Sequence, residues 1–332
     1  MTRKNKIRII IIAALALTLL ATALTATALS SHKNVNTPMT EDEPVQVRKY
    51  KNILFMGLDS GSGLCDVMML INLNLQDGAV TVAQIPRDTY AHYTESSYKK
   101  LNGAYSALGG AEPTARFLER AMGIEIHHYA CIGLDTLGNI VDAVGGVDID
   151  IPRKMHYSDP AQGLYIHLEA GRTHLDGEKA QQFVRFRSGY ADGDLGRIDA
   201  QKLFMAAFFS KLSDGMTPTL AVKLAQVCDG VETDLSIGDL LALGARALDI
   251  GAGDISLLTL PGGVAVAKQS GAWYFSVSAV ACERVMREYF GASGSFDTEK
   301  LFLNGRYKSF SDIYSSDAQI SVVPIDTLVS SE

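Results

Sequence analysis

The residues best suited to chemistry lie between positions 185 and 202, where the chain reads RFRSGYADGDLGRIDAQK. This stretch contains three arginines and three aspartates: Arg185, Arg187, Arg197, Asp192, Asp194 and Asp199. Arg185 and Arg187 are two residues apart, so both would point the same way from an extended segment if the preceding helix ends before them. Because a guanidinium group binds phosphate oxygens through two parallel hydrogen bonds, the arginines predict a site for a phosphate or a diphosphate.

A second interpretation of the same stretch is structural. Asp192 or Asp194 would cap the helix that follows, and Arg197 would lie in the first turns of that helix. The arginines would then pair with the aspartates on a solvated face. The residues alone leave both interpretations open.

A glycine-rich loop, GLDSGSGLCDV at residues 57–67, follows a predicted strand. Loops at the carboxyl ends of strands form the usual ligand crevice of an α/β sheet, and glycines let backbone N–H groups approach an anion. The loop has no Walker lysine, which argues against a nucleotide-binding P-loop. Asp59 and Asp66 flank the loop and could meet at one point as oxygen ligands for Mg²⁺ (or Mn²⁺), although aspartates are also common turn residues.

Two more segments could contribute to such a site. In IPRDTY, residues 85–90, Pro86 ends a strand and leaves Arg87 and Asp88 exposed, either as part of a site or as a salt-bridged loop. The segment LFMAAFFSKL, residues 203–212, predicts a helix that is apolar around most of its circumference. Such a helix fits either a plain core or the wall of a lipid-binding groove. Its large apolar side chains are Phe204, Met205, Phe208 and Phe209.

The elements that must position these side chains follow from the spacing of apolar residues. Strands are predicted at 52–58, 67–75, 79–85, 126–132, 146–151 and 255–260. Helices are predicted at 103–122, 134–144, 178–186, 195–213, 219–228, 236–249 and 276–290. The dipeptide Asp77-Gly78 predicts an antiparallel hairpin between the second and third strands. Strands that alternate with helices predict an α/β fold, with a mixed sheet covered by helices on both faces.

Composition excludes several classes of protein. The chain has 332 residues, of which 47% are hydrophobic, and this is enough for a well-buried core. The net charge of −7 argues against nucleic acid as a partner, because proteins that bind it carry an excess of Lys and Arg on one face. There is no G-x-S-x-G elbow of a serine hydrolase, and the seven histidines show no metal-ligand spacing.

The cysteines indicate neither a disulfide framework nor a zinc site, because no two of them form a C-x-x-C pair. They are Cys65, Cys131, Cys228 and Cys282. Three of the four have the apolar neighbours typical of buried thiols, and Cys65 is the exception.

The N-terminus predicts a membrane anchor. A basic segment at 1–8 precedes residues 9–29, which carry 21 consecutive uncharged residues. A helix of that length reaches about 30 Å and can cross a bilayer, with the basic segment in the cytoplasm. The motifs A-T-A at 21–23 and 26–28 leave open a cleaved signal peptide instead. Residues 30–48 are polar and predict an extracellular linker.

The order of these motifs resembles the LytR-CpsA-Psr family. The resemblance is carried by GLDSGSGLCDVMML, AQIPRDTY, KKLNGAYSALGG, NIVDAVGGVDIDIP, LEAGRTHLDGEKAQQFVRFR and DGDLGRIDAQ. These motifs run from about Lys51 to Leu212, half of the chain, in the order and spacing of the family. Members of the family are membrane-anchored phosphotransferases on the outer face of mostly Gram-positive cells.

The resemblance implies a fold, an activity and partners. The fold would be a three-layer α/β/α sandwich with a mixed central sheet and a hydrophobic channel, in a domain at 49–290 followed by a tail at 291–332. The activity would move a glycopolymer, of teichoic acid or capsule type, from a polyprenyl diphosphate carrier in the membrane to peptidoglycan, forming a phosphodiester. Asp59 and Asp66 would hold Mg²⁺ (or Mn²⁺). The diphosphate would be bound by Arg87, Arg185, Arg187 and Arg197. These arginines would be supported by Asp88, Lys100, Asp194 and Gln201.

The chain departs from the family pattern at two positions. The family commonly reads Arg-Ser-Asp-Thr where this chain has residues 64–67 as LCDV, and it often has arginine where this chain has Ala200. The change at Leu64 removes an arginine expected near the diphosphate, which Lys99 or Lys100 could replace in part. An alternative function is therefore a catalytically weak protein that binds polyprenyl diphosphate or regulates the wall. Direct control of transcription is disfavoured, because eight N-terminal residues cannot form a DNA-binding domain.

Overall fold

The computed structural model describes residues 50–59, 61, 63–93, 99–160, 163–188, 194–215, 230–236, 254–301, 310–311 and 320–329, with Leu220, Lys223, Val227 and Asp239 between them. The basic segment at 1–8, the anchor predicted at 9–29 and the linker at 30–48 lie outside the described residues. Among the helices that are described, none is both long and apolar enough to cross a bilayer.

The described elements alternate between strands and helices. The strands are β1 Tyr50–Leu58, β2 Cys65–Asn74, β3 Val80–Ile85, β4 His128–Gly133, β5 Val147–Ile151, β6 Met155–Asp159, β7 Leu164–Leu168, β8 Gly171–Leu175, β9 Glu232–Thr233, β10 Ile255–Thr259, β11 Gly262–Ala267, β12 Trp273–Val277, β13 Phe310–Ser311 and β14 Val322–Pro324. The helices are α1 Ala104–Leu108, α2 Ala111–Met122, α3 Leu134–Ala143, α4 Gly177–Arg185, α5 Asp194–Gly215, α6 Ala279–Tyr289, α7 Thr298–Leu301 and α8 Ile325–Val329.

The central sheet is mixed. Across the described residues it contains seven strands, in the order β14-β10-β3-β2-β1-β4-β9. β2 pairs antiparallel with both β1 and β3, which confirms the predicted hairpin, while the pairs β1 with β4 and β3 with β10 are parallel. Parallel neighbours require crossover connections, and these are made through helices. The predicted α/β fold with a mixed central sheet is confirmed.

Helices cover both faces of this sheet. Alternate residues of each strand face opposite sides, so each strand contributes side chains to both helical layers. Leu54 and Met56 of β1 belong to a cluster that includes residues of α2 and α6. Ile53, on the other face of β1, packs in a cluster with Ala206 and Phe209 of α5. The sheet therefore lies between two helical layers.

A second hydrophobic core packs around α4 and positions the C-terminal end of that helix. Phe183 of α4 is fully buried in a cluster built from α3, α5 and strands β5 to β8. The backbone N–H of Gly177 donates to Asp142 Oδ1 at 2.7 Å. A Cβ on Gly177 would lie 2.3 Å from the carbonyl oxygen of Gly138, so only glycine allows α3 and α4 to approach this closely. This approach fixes the direction of α4, whose last residue is Arg185.

Three details differ from the sequence-based expectations. The helix predicted at 103–122 is broken by Gly109 and Gly110, whose φ angles of 92° and 127° end α1 before α2 begins. The helix predicted at 276–290 begins only at Ala279, because the preceding residues form β12. The strand pairs β5–β8, β6–β7 and β11–β12 include strands that the periodicity did not predict.

The C-terminal tail contributes to the central sheet. From the tail at 291–332, Val322–Pro324 forms the edge strand β14 on β10, and α8 packs against α5. This part of the tail is thus integrated in the fold. The helices predicted at 219–228 and 236–249 lie mostly outside the described residues.

Candidate functional site

Three chain segments with charged residues meet at one edge of the central sheet. β1 ends at Leu58, β2 begins at Cys65 and β3 ends at Ile85, and the antiparallel pairing of β2 with both neighbours brings these three points together. Asp59 follows β1, Asp66 is the second residue of β2, and Arg87 follows β3. The position of the two loops predicted from the sequence is thus a direct result of strand order.

Asp66 lies at the centre of the charged groups. Its Oδ1 is 2.5 Å from Nη1 of Arg87, and its Oδ2 is 3.2 Å from Nη2 of Arg187. Arg197 lies 3.9 Å away through Nη1 and also donates from Nη2 to the backbone carbonyl of Asp66 at 3.2 Å. One carboxylate therefore holds three guanidinium groups from three different segments of the chain.

Asp59 holds the fourth arginine. Arg185 Nη2 lies 3.6 Å from Asp59 Oδ1. The backbone N–H of Asp59 donates to the carbonyl of Leu64 at 2.9 Å and so closes the loop on itself. Arg185 and Arg187 would point the same way only if the helix ended before both of them. α4 instead extends to Arg185, and Phe186 is the extended residue between Arg185 and Arg187. Arg185 and Arg187 consequently contact different aspartates.

Arg197 and Gln201 fix α5 to the rest of the site. The side chain of Arg197 is 2% exposed, and a guanidinium buried this deeply is tolerated because Asp66 pairs with it. Gln201, one turn further along α5, donates to the carbonyl of Val184 at 3.1 Å and accepts from Gln84 of β3 at 2.5 Å. These bonds join α5 to the end of α4 and to the sheet.

Asp88 and Lys100 form the outer part of the site. Lys100 Nζ is 3.0 Å from Asp88 Oδ1, and Arg87 Nε is 3.9 Å from the same oxygen. Two backbone bonds hold this loop in place, from the N–H of Phe275 to Asp88 and from the N–H of Asn102 to Arg87. The predicted residues of this loop are therefore ordered by strand β12 and by the turn at Leu101–Gly103.

The aspartates of the 185–202 stretch do not share one role. Asp194 is the first residue of α5, and its side chain lies outside the described residues, as does all of Asp192, so their proposed capping role stays a prediction. Asp199 is 76% exposed and pairs with Lys202 at 3.3 Å, away from the arginines. The partners of the arginines come instead from the loop after β1 and from the start of β2.

An apolar cavity begins at this charged cluster. Its volume is about 180 Å³. Its walls come from the face of β1, β2 and β3 that is opposite α2, from α3 and from α5, whose Phe204, Met205, Phe208 and Phe209 all line it. Asp66, Arg185, Arg197 and Gln201 line it as well. A charged head and an apolar tail of one ligand could therefore bind side by side.

Comparison with known proteins agrees with this geometry. The profile of the LytR_cpsA_psr family matches residues 18–290. The chain belongs to this family. It is 29% identical over 263 residues to polyisoprenyl-teichoic acid–peptidoglycan teichoic acid transferase TagV of Bacillus subtilis (strain 168), covering 76% of this chain and 67% of that protein. It is also 29% identical over 272 residues to the TagU transferase of Oceanobacillus iheyensis, covering 76% of this chain and 80% of that protein.

A solved structure shows the same fold. The crystal structure of B. subtilis TagV superposes with a TM-score of 0.62 at 28% sequence identity, covering 73% of this chain and 96% of that one. The α/β sandwich described above is therefore the fold of the LytR_cpsA_psr family.

The two departures from the family pattern lie in different environments. Leu64 is part of the loop at the site and is half-buried. Ala200 is 4% exposed and packs in the core around α4 and α5. The absence of an arginine thus affects the site directly at position 64, whereas Ala200 contributes to packing.

Cys65 is a buried structural thiol like Cys131 and Cys282, so the expectation that it differs from these two cysteines is wrong. Its side chain is fully buried and donates to the carbonyl of Val67 at 2.9 Å. Burial raises the pKa of the Cys65 thiol well above its usual range, so the group stays protonated and unreactive. Its sequence neighbours in the glycine-rich loop suggested exposure, but residue 65 begins β2 and points into the core.

Sequence reasoning missed Gln84. This residue is 3% exposed within a strand whose other side chains are mostly apolar, and it supports Gln201. A buried polar side chain needs a hydrogen-bond partner, so a glutamine within the apolar run AVTVAQI was the available signal.

Proposed function

We propose that this protein transfers a glycopolymer from a polyprenyl diphosphate carrier to peptidoglycan on the outer face of the cell membrane. The single observation that supports it best is the continuity between the cluster of Arg87, Arg185, Arg187 and Arg197 and the apolar cavity. A polyprenyl diphosphate has the matching structure, because a dianionic or trianionic head is joined directly to a long apolar chain. The names of the TagV and TagU relatives agree with this class of substrate.

The charge of the site favours a diphosphate. Five cations, which are the four arginines and Lys100, face three carboxylates, which are Asp59, Asp66 and Asp88, so two positive charges are in excess. In a partly buried site an anion is attracted by this excess more strongly than it would be in water. Arginine is suited to the task, since its planar group binds two phosphate oxygens at once.

Asp59 and Asp66 are suited to hold Mg²⁺ (or Mn²⁺). Both carboxylates are about one quarter exposed, and Asp66 lines the cavity. Among the described residues, neither aspartate belongs to a cluster of three potential metal ligands. Mg²⁺ is commonly held by one or two carboxylates together with phosphate oxygens of the substrate, and it would neutralise charge on the transferred phosphoryl group.

The transfer itself is a displacement at phosphorus. A sugar hydroxyl of peptidoglycan attacks the phosphorus that carries the glycopolymer, the bond to the second phosphate breaks, and polyprenyl phosphate leaves. The arginines bind the oxygens that gain negative charge, and a carboxylate of the site accepts the hydroxyl proton. Asp88 and the two candidate metal ligands are the carboxylates within reach of the cluster.

The proposal extends to the position of the protein in the cell. An anchor at 9–29 would keep the catalytic domain close to the bilayer in which the lipid carrier resides. The linker at 30–48 would span the distance between membrane and domain. The remaining partners would be the glycopolymer, of teichoic acid or capsule type, and peptidoglycan.

The test is a transfer assay with the full-length chain in detergent. It is incubated with a polyprenyl-diphosphate-linked disaccharide, peptidoglycan oligomers and Mg²⁺, and the lipid and sugar products are followed by mass spectrometry. We expect a sugar–phosphate–peptidoglycan product, and a loss of about 100-fold or more in Arg185→Ala. Arg287→Ala is the matched control, because Arg287 is a half-exposed arginine paired with Glu283 on the surface of α6.

Removal of divalent cations tests the metal separately. We expect a chelator to abolish transfer and added Mg²⁺ to restore it. Full activity after chelation would rule out the metal while leaving the transferase proposal intact.

A second candidate function is a binding protein with weak or no catalysis, and Leu64 favours it. The residue lies in the loop closed by its bond to Asp59, where a further arginine is expected. Tight binding of the intact lipid without product would support this function. In that case Leu64→Arg should raise turnover by about tenfold or more, whereas Val280→Arg, at an exposed position on α6, should not.

A further inference from the structure

A cluster of three metal-ligating side chains lies on the β6–β7 hairpin. His156 of β6 stands directly opposite His167 of β7 in the strand register, and Glu169 follows β7. His156 Nε2 is 3.0 Å from Glu169 Oε1, and His167 Nε2 is 3.7 Å from the same oxygen. The two imidazole rings are stacked, with centroids 3.9 Å apart and an angle of 27° between the planes.

We propose that His156, His167 and Glu169 bind a divalent transition-metal ion of the zinc class. One ligand atom from each residue lies within 4.8 Å of the other two. In a tetrahedral site with metal–ligand bonds of about 2.0 to 2.2 Å, ligand atoms are about 3.3 to 3.6 Å apart. The two distances to Glu169 lie on either side of that range. Because the two rings are stacked, they must rotate for both Nε2 lone pairs to point at one ion.

The ligand types select the class of metal. Imidazole nitrogens suit Zn²⁺, Cu²⁺ and Ni²⁺, whereas Mg²⁺ prefers oxygen ligands alone. Three protein ligands leave a fourth tetrahedral position for water. The chain would thus bind an ion such as Zn²⁺ at the β6–β7 hairpin and Mg²⁺ at Asp59 and Asp66.

The hairpin presents these ligands on a fixed backbone. Along β6 and β7, Met155, Ile166 and Leu168 are buried, so His156 and His167 are held on the opposite, solvent-facing side. The backbone N–H of His167 donates to Gln182 Oε1 at 3.0 Å, which ties β7 to α4. Cross-strand partners on such a scaffold lose little freedom when they bind a common ion.

Glu169 already forms an ion pair with a lysine side chain. Lys154 Nζ lies 3.2 Å from Glu169 Oε1, the oxygen that both histidines approach. A bound metal would displace the ammonium group, so Lys154 opposes binding.

The experiment is a calorimetric titration of Zn²⁺ into the full-length chain in detergent, after treatment with a chelator and with Mg²⁺ in excess. We expect one more Zn²⁺ per chain in the wild type than in the double variant His156→Ala/His167→Ala. Each single variant should weaken binding about tenfold or more, and Lys154→Gln should strengthen it. At a free Zn²⁺ concentration a hundredfold above Kd, the unfolding midpoint should rise by about 4 to 5 °C.

His174→Ala is the matched control. His174 is also an exposed histidine on a neighbouring hairpin, and it pairs with a single carboxylate, Asp148, at 2.8 Å. Its removal should leave Zn²⁺ binding unchanged. The proposal is overturned if the wild type binds no Zn²⁺ more tightly than about 1 mM, or if the double variant retains the same binding. Circular dichroism of each variant separates loss of a ligand from loss of the fold.

Discussion

The cavity has an apolar part walled by strands of the central sheet and by helices α3 and α5, and a charged part assembled from loops and helix ends that are far apart in sequence. Asp66, Arg87, Arg187 and Arg197 span more than one hundred positions of the chain, yet all three arginines contact Asp66. The apolar walls are built from many similar van der Waals contacts. The charged part depends on a few ion pairs, each of which is formed only once.

This difference predicts different responses to substitution. Dispersion and burial contribute in small increments that neighbouring side chains share, so a change in the apolar wall should have a graded effect. Removing one member of a partly buried ion cluster instead leaves like charges close together in a medium that screens them poorly. The charged part should therefore fail abruptly, and the apolar part gradually.

Asp66→Asn should have the largest effect. It removes the carboxylate that holds Arg87, Arg187 and Arg197, so these groups would repel one another and move from their positions. We expect transfer to fall about a thousandfold and the free energy of unfolding to fall by about 2 kcal/mol. Product formation and urea denaturation measure the two quantities.

Asp199→Asn is the control for that variant. It removes the same charge from an exposed residue of α5 that pairs only with Lys202 among its described ion pairs. An effect below about 0.5 kcal/mol on stability is expected. Equal losses in the two variants would contradict the central role of Asp66.

Met205→Trp tests the apolar wall and should have an intermediate effect. Met205 lines the cavity from α5 and is only partly buried, so a larger side chain would narrow the cavity without breaking the fold. We expect about 1 to 3 kcal/mol weaker binding of a donor with a long prenyl chain, and little change for a short-chain donor. Titration with both donors measures this difference. Equal weakening for both would mean that the chain does not occupy this part of the cavity.

The contrast also explains which features the sequence predicts. The face of each strand and the apolar surface of α5 follow from periodicity within a few residues, and most of the predicted elements are present in the structure. The charged residues were singled out by type, and the loops of Asp59, Asp66 and Arg87 meet because of strand order. The ion pairs between these charged residues could not be predicted from the sequence in this way, because they depend on contacts across more than one hundred residues.

Two cases show where local pattern was insufficient. Asp199 lies in the same stretch as the arginines, yet the helix turns its side chain outward to Lys202. His156 and His167 are eleven positions apart, a spacing that matches no metal motif, and only the register of the hairpin brings them together. Spacing along the chain therefore predicts contact only within one element.

Gln201→Leu should have the smallest effect on transfer of the three variants, and it tests how the charged part and the apolar part of the cavity are joined. Gln201 bonds to the carbonyl of Val184, next to Arg185, and to Gln84 in the sheet. Its loss would leave the buried amide of Gln84 without this partner, at a cost of about 1 to 3 kcal/mol in unfolding free energy, and should reduce transfer several-fold through displacement of Arg185. In Gln84→Leu/Gln201→Leu both amides are gone, so the stability loss should be smaller than the sum of the single losses by more than about 0.5 kcal/mol. Additive losses would mean that the two glutamines act independently, and that α5 is held against the sheet by its apolar contacts alone.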